Sequence, residues 1–398
     1  MTDLTFTQRQ PTQHGRLPIA ALLALALAGF ITILTEALPA GLLSQIGSDM
    51  HISGALAGQF VTLYAVGSLV AAIPLINATQ GVRRRPLLLI ALAGFVVANT
   101  VTACSVNYII TMVARFLAGV SAGLVWALLA GYAARMVPDE KRGRAIAIAM
   151  VGTPLALSLG VPAGTSLGNM VGWRMCFGIM SVMALGLMVW VRLRVPDFSG
   201  LAASERLPLR EVFTLAGVRT VLFVVLTFVL AHNVFYTYIA PFLASVDMTE
   251  RTDLILLVFG TASLPGIWVV GLFVDRYLRM LTLVSTALFA LSAFVLGIMS
   301  DIPSAVYMAV AVWGLSFGGA ATLFQTAIAR AAGKAADVAQ SMLVTAWNLA
   351  IAGGGITGGV LLDSVGTSAF SPAIIILLIL AMIAVWTAKQ HGFPAKSA

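Results

Sequence analysis

Glu36, Arg115 and His232 are ionisable side chains set inside long apolar stretches. Glu36 lies in the run Phe30-Ile-Thr-Ile-Leu-Thr-Glu-Ala-Leu-Pro-Ala-Gly-Leu-Leu43, and it alone of the fifteen acidic residues falls within the core of a hydrophobic segment. A carboxylate at bilayer depth costs about 2.5–3.5 kcal/mol on insertion scales, so such a residue points to function. The chemistry it could do is reversible protonation; the bland alternative is a carboxyl kept neutral by a helix neighbour. In water a carboxyl titrates near ~4.3 and an imidazole near ~6.5. His232 therefore needs little adjustment to exchange protons around neutral pH. It could equally be a histidine that only hydrogen-bonds within a bundle. Arg115 either stabilises a deprotonated carboxyl, or sits near the outer end of its helix and snorkels to the interface.

Around these lie polar and aromatic residues at mid-stretch: Tyr64, Trp126, Asn233, Tyr236, Gln325, Trp347 and Asn348. Hydrogen-bonding groups combined with flat apolar faces suit a small-molecule pocket. The alternative is a lipid-facing or interfacial ring, the reading for Trp190 and Trp386 near stretch ends. An amide facing lipid would be unsatisfied, so Asn233 and Asn348 belong inside. No phosphate-binding loop, dinucleotide fingerprint or His/Cys metal spacing is present, so no cofactor, no metal and no enzyme chemistry are expected. Cys104 and Cys176 read as free thiols.

The elements that must position these residues follow from composition. The 398 residues are 60% hydrophobic and 10% charged, where soluble domains carry about 25% charged residues. The chain is therefore an all-α polytopic membrane protein. Stretches long enough to span fall near 17–39, 55–78, 86–104, 108–135, 144–168 and 175–194, then near 219–243, 254–274, 280–299, 303–330, 337–361 and 370–389. The net charge of +8 sits in short loops, where it orients a membrane protein rather than binding nucleic acid. With both termini cytoplasmic, twenty of the twenty-three lysines and arginines fall on the cytoplasmic side. Residues 1–16 form a polar tail followed by a run too long for a cleavable signal. Residues 195–218 read as an exposed cytoplasmic linker between six-helix bundles at 17–194 and 219–390, and 391–398 as a second tail.

A shift of 195 residues takes Arg84 to Arg279, Gly119 to Gly314, Ser121 to Ser316 and Gly123 to Gly318. It also takes Arg135 to Arg330, Gly160 to Gly355 and Gly164 to Gly359. One constant offset across glycines and basic loop residues marks an internal repeat. Repeats of this type build transporters with a site between the halves. The paired glycines, four residues apart, let helix backbones approach closely.

On these motifs the chain resembles the major facilitator superfamily, and within it the twelve-span drug:proton antiporters and bacterial sugar efflux transporters. The loop signature appears as Gly271-Leu-Phe-Val-Asp-Arg-Tyr-Leu-Arg279, with Asp275, Arg276 and Arg279 in the signature positions. In the first-half copy Gln80 replaces the aspartate, so the second-half loop is the expected seat of a charge latch. Arg115 with Gly119 matches the helix-four signature, and Gly152 to Gly164, with Gly160-Val-Pro162, is similar to the antiporter signature of helix five. Thr35 to Leu43, Ala231 to Phe242, and Trp347-Asn348 look like the sugar efflux branch. The resemblance implies two six-helix halves related by a pseudo-two-fold axis. It implies a monomer in the bacterial inner membrane that exports sugars, glycosides or amphiphilic drugs against protons by alternating access. It places Glu36 and His232 opposite each other across the cavity. A passive facilitator, or an exporter of other metabolites, is the alternative on the same fold.

Overall fold

The computed structural model describes residues 17–394, and every regular element among them is helical. The tail expected over 1–16, and the last four residues of that over 391–398, lie outside the described residues. Ten helical stretches are long and apolar enough to cross a membrane, and two of these are of double length. Leu254–Ile298 turns at Tyr277, whose φ of −127° and ψ of 28° are not helical. Pro303–Ser364 breaks at Gly333–Ala335, where Gly333 takes φ 52°, a conformation open to glycine.

Divided there, the described residues form twelve helical segments of spanning length. The first six helices are α1 (Ile19–Gly41), α2 (Gly54–Ala78), α3 (Arg84–Cys104), α4 (Tyr108–Arg135), α5 (142–171) and α6 (Trp173–Arg194). The second six are α7 (Val218–Thr237), α8 (252–276), α9 (278–298), α10 (303–332), α11 (Ala336–Ser364) and α12 (Phe370–Thr387). Helices are what an apolar chain must form here, because lipid offers no partner for a free backbone N–H or C=O.

Glycine sets the packing within each half. A Cβ on Gly119 would strike the Tyr64 carbonyl, and one on Gly123 the Ser68 carbonyl. Gly314 and Gly318 lie in the same way against the carbonyls of Phe259 and Ser263. The residues struck are themselves 195 apart (64 to 259, 68 to 263), so α10 lies on α8 as α4 lies on α2. Helix α5 is laid along α1 by Gly152 against the Ala26 carbonyl, Gly160 against the Phe30 ring and Gly164 against Leu38. It makes one wide π-type turn over Ala156–Gly160, after which Pro162 opens its outer segment.

Among the described residues, the ion pairs and close contacts between the halves gather at one end. Helix α11 is buried from Ala336 through Val344, where it runs against α2 and α4. Beyond Val344 only the stripe Ala350, Gly354, Gly358 is buried, and that stripe lies on α7, with Gly354 against Asn233 and Gly358 against Tyr238. The start of α5 likewise packs on α8 and α10, while Leu157 and Leu159 further along are exposed. The bundles therefore touch at the face that carries the linker and part toward the far face.

The linker, read from its composition as an exposed connection, keeps most of its side chains exposed or partly so, and its backbone is docked along the first-half loop. Arg84 N–H donates to the Phe198 carbonyl and Leu201 N–H to the Gln80 carbonyl, both at 2.9 Å. Asp197 accepts from Arg83 Nε at 2.7 Å and Arg85 N–H at 3.0 Å. Tyr132 closes the seam through its hydroxyl to the Pro196 carbonyl and its ring edge-on to Phe198. Backbone pairing of this kind is not encoded in hydropathy, so composition alone could not foresee it.

Candidate functional site

Helix α1 presents Glu36 on the face it shares with Gly29, two turns away. Gly29 packs on the Trp126 ring of α4, so that face looks into the bundle and not at lipid. Glu36 is partly open and, among the described residues, makes no ion pair within 4 Å.

Arg115, three turns from Trp126 on the same face of α4, is wholly buried, which overturns the snorkelling alternative. Its Nη2 donates to the Thr35 carbonyl at 2.7 Å and its Nε to the Phe60 carbonyl at 2.9 Å, while Nη1 has no partner. The guanidinium lies over the rings of Tyr64 at 5.1 Å and Phe177 at 5.5 Å. Tyr64 is itself buried, its hydroxyl donating to the Thr32 carbonyl at 2.8 Å. The arrangement is a cation held by carbonyls and rings, and Glu36 is the residue next to Thr35, whose carbonyl accepts from that cation.

His232 does not face Glu36. Its ring is stacked on Phe317 at 3.6 Å and enclosed by Tyr236, Phe259 and Trp313, all from its own half. Its Nδ1 is buried without a partner. The reason is the repeat: each of the two residues points toward the second and fourth helices of its own bundle, so equivalence in sequence means equivalence of place, not juxtaposition.

Of the seven expected pocket residues, Trp126, Tyr236, Trp347 and Asn348 are at least partly open. Trp126 is nine residues from Arg135 and Trp347 ten from Asp337, so both stand about 14–15 Å along their helices from the contact of the halves. Tyr64, Asn233 and Gln325 are withdrawn from that space. Asn233 turns its amide back to the Val229 carbonyl and packs on Gly354, and the Gln325 side-chain oxygen is buried without a partner.

The linker face holds two latches. Asp275 accepts from the N–H groups of Gly143 and Arg144, the latter at 2.9 Å, at the start of α5, and pairs with Arg330 at 3.1 Å. A carboxylate there meets both unpaired N–H groups and the positive end of the helix dipole. Gly271 brings α8 against Ala147 of α5. Arg276 and Arg279 do not cross: the first lies over Tyr277, and the second donates to the Trp386 carbonyl at 2.7 Å within its own half. The second latch was not expected. Asp337, buried in the first turn of α11, takes Arg84 and Arg135 of the other half, each at 2.9 Å. A signal was available, since Gln80 leaves Arg135 without the acid that Asp275 supplies to its counterpart Arg330.

The family model described as the Major Facilitator Superfamily matches residues 25–352. The transcription regulatory protein OpdE of Pseudomonas aeruginosa is 28% identical, over 98% of this chain and 98% of its own. The chloramphenicol efflux pump Rv0191 of Mycobacterium tuberculosis is 31% identical, over 91% of each chain. A probable sugar efflux transporter of Helicobacter pylori is 25% identical, over 86% of this chain and 88% of its own. Among solved structures, the proton:xylose symporter XylE superimposes with a TM-score of 0.75 at 16% identity, over 93% of this chain and 95% of its own. The family match runs through both repeats, and the chain belongs to the major facilitator superfamily of membrane transporters.

Proposed function

We propose that this transporter exports small molecules of the sugar, glycoside or amphiphilic-drug kind in exchange for protons. The linker face would lie in the cytoplasm of a bacterial inner membrane, as the excess of basic residues there supports. The observation that carries the reading is the unpaired Glu36 beside the fully buried Arg115. Ionised, Glu36 offsets the arginine; protonated, it leaves that cation without a counter-charge, a state costly enough to favour a change of packing. A membrane potential supplies about 2.3 kcal/mol per charge per 100 mV to drive the cycle. Glu36 and Arg115 are the coupling groups in this scheme, and Trp126, Trp347 and Asn348 line the substrate's path. The names of the Mycobacterium tuberculosis and Helicobacter pylori relatives agree with export.

Glu36→Gln tests the scheme in proteoliposomes. The variant is expected to lose uphill transport under an imposed pH gradient while retaining substrate counterflow, because the exchange step needs no net proton movement. Undiminished gradient-driven export by the variant would remove Glu36 from the coupling.

A further inference from the structure

The two halves have made different use of one place in the repeat. In the first half that place holds Glu36, Tyr64 and Arg115, with the small Ala118 and Ala122 on α4. In the second, the positions 195 residues on are Phe259, Val310, Trp313 and Phe317, and His232 stands one residue past the match of Glu36. A charged pocket in one bundle has become a box of rings in the other. Phe317 and His232 stack at 3.6 Å with 13° between their planes, and His232 and Tyr236 follow at 5.1 Å and 25°. The three rings form a column. Its inner members are buried or half-buried, and its last, Tyr236, is 44% exposed.

Tyr236 continues the stripe Val225, Val229, His232 of α7, which is packed inside the bundle. Its ring faces Phe259 at 5.7 Å and Trp313 at 6.4 Å, so it lies on the side of α7 turned to α8 and α10, in the last turn of that helix, toward the face where the halves part. We infer that this column is a ring-binding subsite: the transported molecule carries a planar aromatic or heteroaromatic ring that stacks on the open face of Tyr236. The inference rests on the transport reading above and narrows its substrate class. A saturated ring placed here offers Tyr236 only C–H contacts, whereas a flat ring gains an offset-stacked or edge-to-face partner beyond the area it buries.

The test uses the full-length protein in lipid nanodiscs and matched pairs of ligands differing only in a planar or saturated ring. Phenyl and cyclohexyl β-glucosides form one pair, and benzyl and cyclohexylmethyl trimethylammonium another. Calorimetric titration is expected to show the planar member binding about three- to tenfold more tightly. Tyr236→Leu should abolish that preference and Tyr236→Phe should keep it. Equal affinities within the pairs, a preference that survives Tyr236→Leu, or no binding by any planar member overturns the inference. Counterflow of the saturated members in liposomes separates the two readings. If they are carried and the planar ones are not preferred, the ring site fails and transport stands; if nothing is carried, the transport reading itself fails.

Discussion

Replacing Asp337 by asparagine should open the linker face. The carboxylate is 4% exposed, and it takes Arg84, 1% exposed, and Arg135, 25% exposed, each at 2.9 Å from the opposite half. Removing one partner of a buried charge pair costs about 3–5 kcal/mol, because the remaining charge stays out of water. Opening the face returns both arginines to water, so nearly all of this loss falls on the closed arrangement. Even ~3 kcal/mol shifts the ratio of closed to open molecules by about a hundredfold. Spin labels at Val82 and Gln390, on opposite halves at this face, would report it by electron–electron distance measurement in nanodiscs after the native Cys104 and Cys176 are replaced. The expected result is a shift of the distribution toward longer distances. Glu205→Gln breaks the exposed Lys334 pair and should leave the distribution unchanged. Gln80→Asp added to Asp337→Asn should restore the closed form, since residue 80 stands where Asp275 stands in the other half and would face the start of α11. An unaltered distribution in Asp337→Asn refutes the latch, and failure of the second change to restore closure refutes its equivalence to Asp275.

Gly152→Ala places a methyl against the Ala26 carbonyl, whereas Gly178→Ala meets open space. The first should lower the thermal midpoint in detergent, in line with an overpacking cost of about 1–3 kcal/mol, and the second should not. Burial works against the charge of Asp197, but the Arg85 N–H and the Arg83 guanidinium outweigh it and hold the carboxyl below its ordinary 3.8. A carboxylate lowered by folding stabilises above its unfolded value and stops doing so as pH falls through the folded one. The linker clamp should therefore resist limited proteolysis at pH 5 as at pH 7, while Asp197→Asn exposes residues 195–217 to cleavage at both.

The twelve crossings were legible because a hydropathy run of that length has one structural solution in lipid, and the repeat was legible because glycines under close contact admit no substitute. Gly119 and Gly314 could be matched from sequence since each must clear a carbonyl, at Tyr64 and at Phe259. What the sequence did not disclose is how the structure answers the break in the repeat at Gln80. Arg84 and Arg279 occupy equivalent positions, yet one reaches across to Asp337 and the other stays within its half at the Trp386 carbonyl. The difference traces to Gln80 and Asp275. Where the loop keeps its acid, the latch needs only helix N–H groups from the other half; where it has lost the acid, the other half must bring one.

Asp337 looked peripheral in sequence because hydropathy places it at a stretch end, and its burial comes from the opposing bundle rather than from lipid depth. The same logic governs Glu36 and His232. Position in a repeat fixes which helices surround a side chain, while its chemistry depends on what those helices carry: Arg115 and Tyr64 in one bundle, Trp313, Phe317 and Phe259 in the other. On the proposed scheme, a symmetric frame with unlike contents would let a proton at Glu36 and a ring at Tyr236 be held by different sets of atoms without competing. Their coupling would then pass through the closure that the two latches share.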